Sequence, residues 1–222
     1  MTPTVVVIAK APVAGRVKTR LCPPCTPPEA AGLAEAALRD TLATVAEIPD
    51  VRRVVALDGD PGPWLPAGFA VVPQRGVGLA ARLAAAVVDV GGPVLVIGSD
   101  TPQLTPGVGA AALRTLRESG SVLGAALDGG YWAIGLPAGD PRVFAGVPMS
   151  TARTGAVQRA RLVELGYRPA ALPTLRDVDH FEDAVAVAGA APASRFASKL
   201  RSITRSWPRA AAPARPHLVR PG

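Results

Sequence analysis

Two short apolar runs limit the fold of this chain more than any other feature. Val94-Leu95-Val96-Ile97 is unbroken by a polar residue, and residues 4–9 form a second short run of the same kind, rich in β-branched side chains. A strand that is apolar on both faces belongs in the middle of a sheet covered on both sides. Helix signals alternate with these runs. Thr26-Pro27-Pro28-Glu29 is a capping box with Pro at the first helical position, and it opens a helix reaching about Ile48. Leu33, Ala37, Leu38, Leu42 and Val45 line one face of that helix. Further strands are expected over 53–57, 70–72, 122–127, 132–136 and 168–172. Further helices are expected over 79–90, from Thr105-Pro106 to near Gly120, over 151–165, and from an Asp179-x-x-Glu182 capping box onward. The order predicts an α/β chain: a three-layer sandwich with a mostly parallel central sheet and helices on both faces.

The length of 222 residues suits one domain, and 49% hydrophobic residues with only 4% aromatics predict an aliphatic core. The net charge of +7 is unevenly placed. Residues 1–192 hold 17 Lys and Arg against 17 Asp and Glu, whereas the last 30 residues hold seven cations and no acid. The sequence therefore predicts a domain over 1–192 and a basic, flexible tail over 193–222. With the domain itself neutral, no nucleic acid is expected as a partner. No apolar run is long enough to span a bilayer, and the run over 4–9 is too short for a signal peptide, so the expected location is the cytoplasm. Cys22 and Cys25 lack the further Cys or His ligands that a zinc site needs, and read as two loop thiols.

In open α/β sheets, ligands bind beyond the carboxyl ends of the strands. The first such loop carries Lys10, Arg16, Lys18 and Arg20 within eleven residues, with Gly15 able to let the backbone approach a ligand. Four cations there suit a di- or triphosphate. The spacing is neither that of a Walker A loop nor that of a dinucleotide fingerprint. Asp100, in Gly98-Ser99-Asp100-Thr101-Pro102, follows the central strand and is the expected first ligand of Mg²⁺ or Mn²⁺. Asp177 and Asp179 point the same way if Asp177-Val178-Asp179 is extended, so one of them could complete the metal site. Asp128-Gly129-Gly130-Tyr131 is either a plain hairpin turn or a place of close approach to a ligand.

Four stretches together resemble a bacterial family described as glycosyltransferases, of the type encoded beside radical-enzyme and arsenosugar genes. They are Ala9 to Leu21, Gly98 to Pro102, Asp128 to Leu136, and Asp177-Val178-Asp179. The likeness spans roughly residues 4 to 190 and implies the nucleotide-diphospho-sugar transferase (GT-A) fold. It implies Asp100 as first and Asp179 as second metal ligand. It also implies that Pro73-Gln74-Arg75-Gly76-Val77-Gly78-Leu79, with Gln74 and Gly78, forms the nucleotide-side loop. The segment Val17 to Leu21 is similar to guanylyltransferases that activate phospholactate. The chain departs from the family pattern at Ala14, at Met149 and in its Cys pair.

Two chemistries follow. In the first, a nucleotide sugar donates to a small-molecule acceptor, with Asp128 as the base for the acceptor hydroxyl. In the second, a phosphorylated substrate attacks a nucleoside triphosphate, and Lys18 and Arg20 help to hold the departing pyrophosphate. A non-catalytic nucleotide-binding protein is the third reading.

Overall fold

The computed structural model describes residues 1–207. Seven strands form one sheet in the order β3-β2-β1-β4-β6-β5-β7. They are β1 (Thr4–Lys10), β2 (Arg52–Asp58), β3 (Ala70–Pro73), β4 (Val94–Gly98), β5 (Val122–Ala126), β6 (Tyr131–Leu136) and β7 (Ala170–Leu175). β6 runs against both its neighbours; the other pairings are parallel. The two apolar runs are the adjacent central strands β1 and β4, in register from Thr4 opposite Val94 to Ile8 opposite Gly98.

Alternate residues of these strands feed two cores. Val5, Val7, Leu95 and Ile97 pack beneath α1 (Pro27–Ala46) and α3 (Pro106–Ser119), through Leu38, Leu42, Val45, Leu113 and Leu116. Val6, Val54, Val94 and Val96 pack beneath α2 (Gly78–Val90) and α4 (Thr154–Glu164), through Leu83, Val87 and Leu162. This is the expected three-layer α/β sandwich, and burial on both faces is why Val5 to Ala9 of β1 and Val94 to Ile97 of β4 contain no polar residue.

α1 has a second buried face, which the sequence pattern did not separate from the first. Ala30, Leu33, Ala36 and Ala37 pack against α5 (Phe181–Ala190) and α6 (Arg195–Ser206). α6 corrects the expected domain boundary. Residues 195–206 are helical, with Phe196, Ala197, Leu200 and Ile203 at most 5% exposed. The buried Asp40 carboxylate accepts hydrogen bonds from the Arg195 and Phe196 amides at 3.1 and 2.8 Å and anchors the start of this helix. Trp207 stacks near Phe181, with ring centroids 5.4 Å apart, and donates to Glu29 at 3.1 Å. The cations of α6 face outward, and their density hides four apolar positions at helical spacing. The remainder of the expected tail, 208–222, lies outside the described residues.

Smaller shifts have local causes. Helix α5 starts one residue later than expected, because His180-x-x-Asp183 wins over the overlapping Asp179-x-x-Glu182. The Asp183 carboxylate accepts from the His180 amide at 2.9 Å, which leaves Asp179 free of capping. No helix among the described residues is long and apolar enough to cross a membrane.

Candidate active site

The carboxyl ends of β1, β4, β5 and β7 lie along one edge of the sheet, and three acids converge there. Asp100 follows β4, while Asp177 and Asp179 follow β7. The Val178 amide donates to the Asp100 carbonyl at 3.1 Å, tying the two loops together. Val178 is 1% exposed, so its neighbours on either side turn to the opposite face of the segment, toward Asp100. One carboxylate oxygen from each of the three acids lies within 4.8 Å of the other two. Asp177 completes a cluster in which sequence reasoning had placed Asp100 and Asp179. The signal was the buried residue between two acids. Burial, then the like charges of Asp100, Asp128 and Asp179, push the Asp177 carboxyl up to about 6.

Two cations of the first loop meet this cluster. Lys18 Nζ lies 2.8 Å from Asp100 Oδ2 and 3.3 Å from Asp179 Oδ1, and Arg20 Nη1 lies 2.9 Å from Asp179 Oδ2. Burial alone would lower the Lys18 pKa, but the two carboxylates outweigh it and hold it above the ordinary lysine value. Lys18 has a left-handed backbone, φ 48°, at the start of a short 3-10 turn over Thr19–Leu21, and buried Val17 and Leu21 pin its flanks. In this structure two of the four loop cations expected to face phosphate, Lys18 and Arg20, are engaged by acids. Lys10 and Arg16 are exposed and form no ion pair among the described residues. Gly15 has φ +77° with open space where a Cβ would sit, so a ligand can reach the backbone there.

Asp128 stands exposed at the β5–β6 turn, where its Oδ1 accepts from the Gly130 amide at 2.7 Å. The β5–β6 turn follows the carboxyl end of β5, at the same edge of the sheet as the acid cluster, and the like charge of Asp128 adds to the upward push on Asp177. The adjoining glycine serves packing within the chain. A Cβ on Gly129 would lie 2.1 Å from the Ala152 carbonyl oxygen, and the Gly155 amide donates to the Gly129 carbonyl at 2.8 Å. Gly129 therefore lets the start of α4 close on the hairpin. Met149 packs at the same place, 3.9 Å from the Tyr131 hydroxyl, which also donates to Gln158 at 3.2 Å.

Gln74 is a strut. Its Nε2 donates to the carbonyls of Ala9 and Ala56 at 2.8 and 2.9 Å, across the ends of β1 and β2, and its Oε1 accepts from Arg82 at 3.4 Å. Its amide holds the strand from which the basic loop departs. Gly78, with φ +80° and open space on its Cβ side, begins α2 next to the fully exposed Val77.

The donor set of the cluster is entirely hard oxygen, as Mg²⁺ or Mn²⁺ requires, and an ammonium group already stands among those oxygens. The cluster could therefore hold a divalent cation.

A mostly parallel sheet with one reversed strand, carrying clustered acids at its carboxyl edge, defines the class: this is the fold of the nucleotide-diphospho-sugar transferases. A crystal structure from Desulfovibrio desulfuricans G20, provisionally named as such a transferase, superposes with a TM-score of 0.81 at 25% identity. It covers 92% of this chain and 96% of that one. The chain belongs to the family DUF2064, described as an uncharacterized protein conserved in bacteria, whose model matches residues 41–151. Two further structures share the fold. The 2-C-methyl-D-erythritol 4-phosphate cytidylyltransferase of Thermus thermophilus has a TM-score of 0.55 at 18% identity, over 86% of this chain and 100% of that one. A manganese complex of a Mycobacterium tuberculosis H37Rv protein has a TM-score of 0.52 at 22% identity, over 84% and 97%. None of the curated proteins matches the sequence.

Proposed function

We propose that this protein is a divalent-metal-dependent transferase that moves a sugar from a nucleotide-sugar donor to a hydroxyl of a small-molecule acceptor. The convergence of Asp100, Asp177 and Asp179, with carboxylate oxygens within 4.8 Å, carries the proposal. The name given to the D. desulfuricans protein supports it. When bound by Asp100 and Asp179, Mg²⁺ or Mn²⁺ supplies Lewis-acid and electrostatic stabilisation of a diphosphate. The chain's own residues do the rest. Lys10 and Arg16 attract the phosphates, and Gly15 and Gly78 let the backbone approach the nucleotide. Asp128 takes the proton of the acceptor hydroxyl while the new sugar–oxygen bond forms. The bond between the sugar and the diphosphate breaks, and its electron pair leaves with the nucleoside diphosphate.

Nucleotidyl transfer is the second reading, favoured by the likeness to the cytidylyltransferase and by the basic loop. There a phosphorylated substrate attacks the α-phosphate of a nucleoside triphosphate, and pyrophosphate leaves. The name given to the D. desulfuricans protein weighs toward sugar transfer instead. A product assay decides. The full chain is incubated with sugar nucleotides or nucleoside triphosphates, with Mg²⁺ or Mn²⁺, and free nucleoside diphosphate and pyrophosphate are measured. Acceptor-dependent release of nucleoside diphosphate is expected. Pyrophosphate release that depends on a phosphorylated acceptor would establish the second reading instead, and neither product with any donor would leave a binding protein.

A further inference from the structure

We propose that Lys18 is an internal counter-ion of the acid cluster, which a divalent cation must displace in order to bind. The inference rests on the metal-dependent reading above and concerns what controls that site. The Lys18 ammonium contacts carboxylates from two different loops, Asp100 at 2.8 Å and Asp179 at 3.3 Å, and its side chain is 17% exposed. Arg20, by contrast, is 58% exposed and reaches Asp179 alone. Lys18 therefore lies among the acids, whereas Arg20 covers them from outside. A metal ion held by Asp100 and Asp179 needs the same carboxylates that the ammonium contacts. Two cations on shared carboxylates in a half-buried site repel each other strongly, so both cannot stay.

The geometry makes the side chain the mobile part. Buried Val17 and Leu21 fix the backbone on either side, and the ammonium sits on a flexible four-carbon stem. Asp177 makes no ion pair among the described residues, so it is the member of the cluster open to an arriving cation. Two consequences follow. Without metal, the lysine relieves repulsion among the acids and keeps their loops together. With metal, it moves out toward solvent on the basic loop, so metal affinity is set by competition with a residue of the same chain.

The test uses the full chain and Mn²⁺ alone. Calorimetry compares the wild type with Lys18→Met and with Arg20→Gln. Lys18→Met is expected to bind Mn²⁺ about tenfold more tightly or better, because the competitor is gone. Arg20→Gln is expected to change affinity by less than about threefold, as befits an exposed pair. In chelator, Lys18→Met should melt below the wild type, and saturating Mn²⁺ should remove the difference; a merely structural lysine would keep the deficit in both conditions. A second measurement needs no variant. Acetylation of wild-type lysines, read by mass spectrometry, should rise at Lys18 on adding Mn²⁺ and stay constant at exposed Lys10. Equal tightening in both variants, no tightening in Lys18→Met, or unchanged labelling of Lys18 in a protein that does bind Mn²⁺ would overturn the counter-ion and leave the metal site standing. Failure of wild type and variant alike to bind Mn²⁺ would overturn both.

Discussion

At the residue scale, the site is made by three carboxylates that repel one another and are held together regardless. The bond from the Val178 amide to the Asp100 carbonyl fixes their approach, and burial, reinforced by the like charges around it, raises the Asp177 pKa to about 6. Its sign sets a pH dependence. Between the ordinary carboxylate value and about 6, the folded protein keeps a proton that the unfolded chain has lost. The resulting stability is present at low pH and disappears as pH rises through about 6. In chelator, the melting temperature of the wild type should therefore fall over this range, and Asp177→Asn should flatten the profile. An identical profile in the variant would show that Asp177 is not the group responsible. Asp128 carries a different prediction. As the proposed base, Asp128→Ala should lower kcat by about 10²–10⁴-fold with little change in donor affinity; unchanged turnover on the true acceptor would remove it from the chemistry. Asp100 was legible in the sequence, since a lone acid after an apolar strand lands at the sheet's carboxyl edge. The partnership of Lys18 was not, because its acids lie 82 and 161 residues away and no local pattern records a pairing that distant.

Elements were legible in proportion to how plainly burial shows in their pattern. β1 and β4 carry unbroken apolar runs, Val5 to Ala9 and Val94 to Ile97, and are plain in the sequence, and the Thr26 capping box marks the start of α1. α6 was hidden because it buries a narrow stripe beneath a helix crowded with cations. That stripe has consequences. Removing everything after Ala193 exposes the pocket filled by Phe196, Leu200 and Ile203, each worth about 1.5–3 kcal/mol of burial. The truncated protein should lose several kcal/mol and melt more than about 10 °C lower in a thermal scan. Asp40→Ala, which frees the amides at the start of α6, should cost about 1 kcal/mol by denaturant titration. A truncated chain with the wild-type melting temperature would mean that α6 contributes nothing to the core.

For the whole molecule, the sheet order carries the functional argument. Reversing β6 between β4 and β5 brings Asp128 at its start to the same edge as Asp100 at the end of β4, while the parallel strands β1 and β7 deliver the basic loop and the acid pair. Helix–strand alternation announced a layered sheet, but the reversed strand came from the short hairpin around Asp128, which only a two-strand turn can make. The central claim is that the acids at this edge bind a nucleotide through a divalent metal. Thermal denaturation of the wild type and Asp100→Asn with a panel of nucleoside diphosphates and sugar nucleotides, each with Mn²⁺ or with chelator, tests it most directly. A ligand present at 100 times its Kd adds about 2.7 kcal/mol of stability. The account predicts that at least one nucleotide stabilises the wild type only when Mn²⁺ is present, and that Asp100→Asn, folded to the same degree, loses that response. Equal stabilisation with and without metal, or an undiminished response in Asp100→Asn, would contradict it.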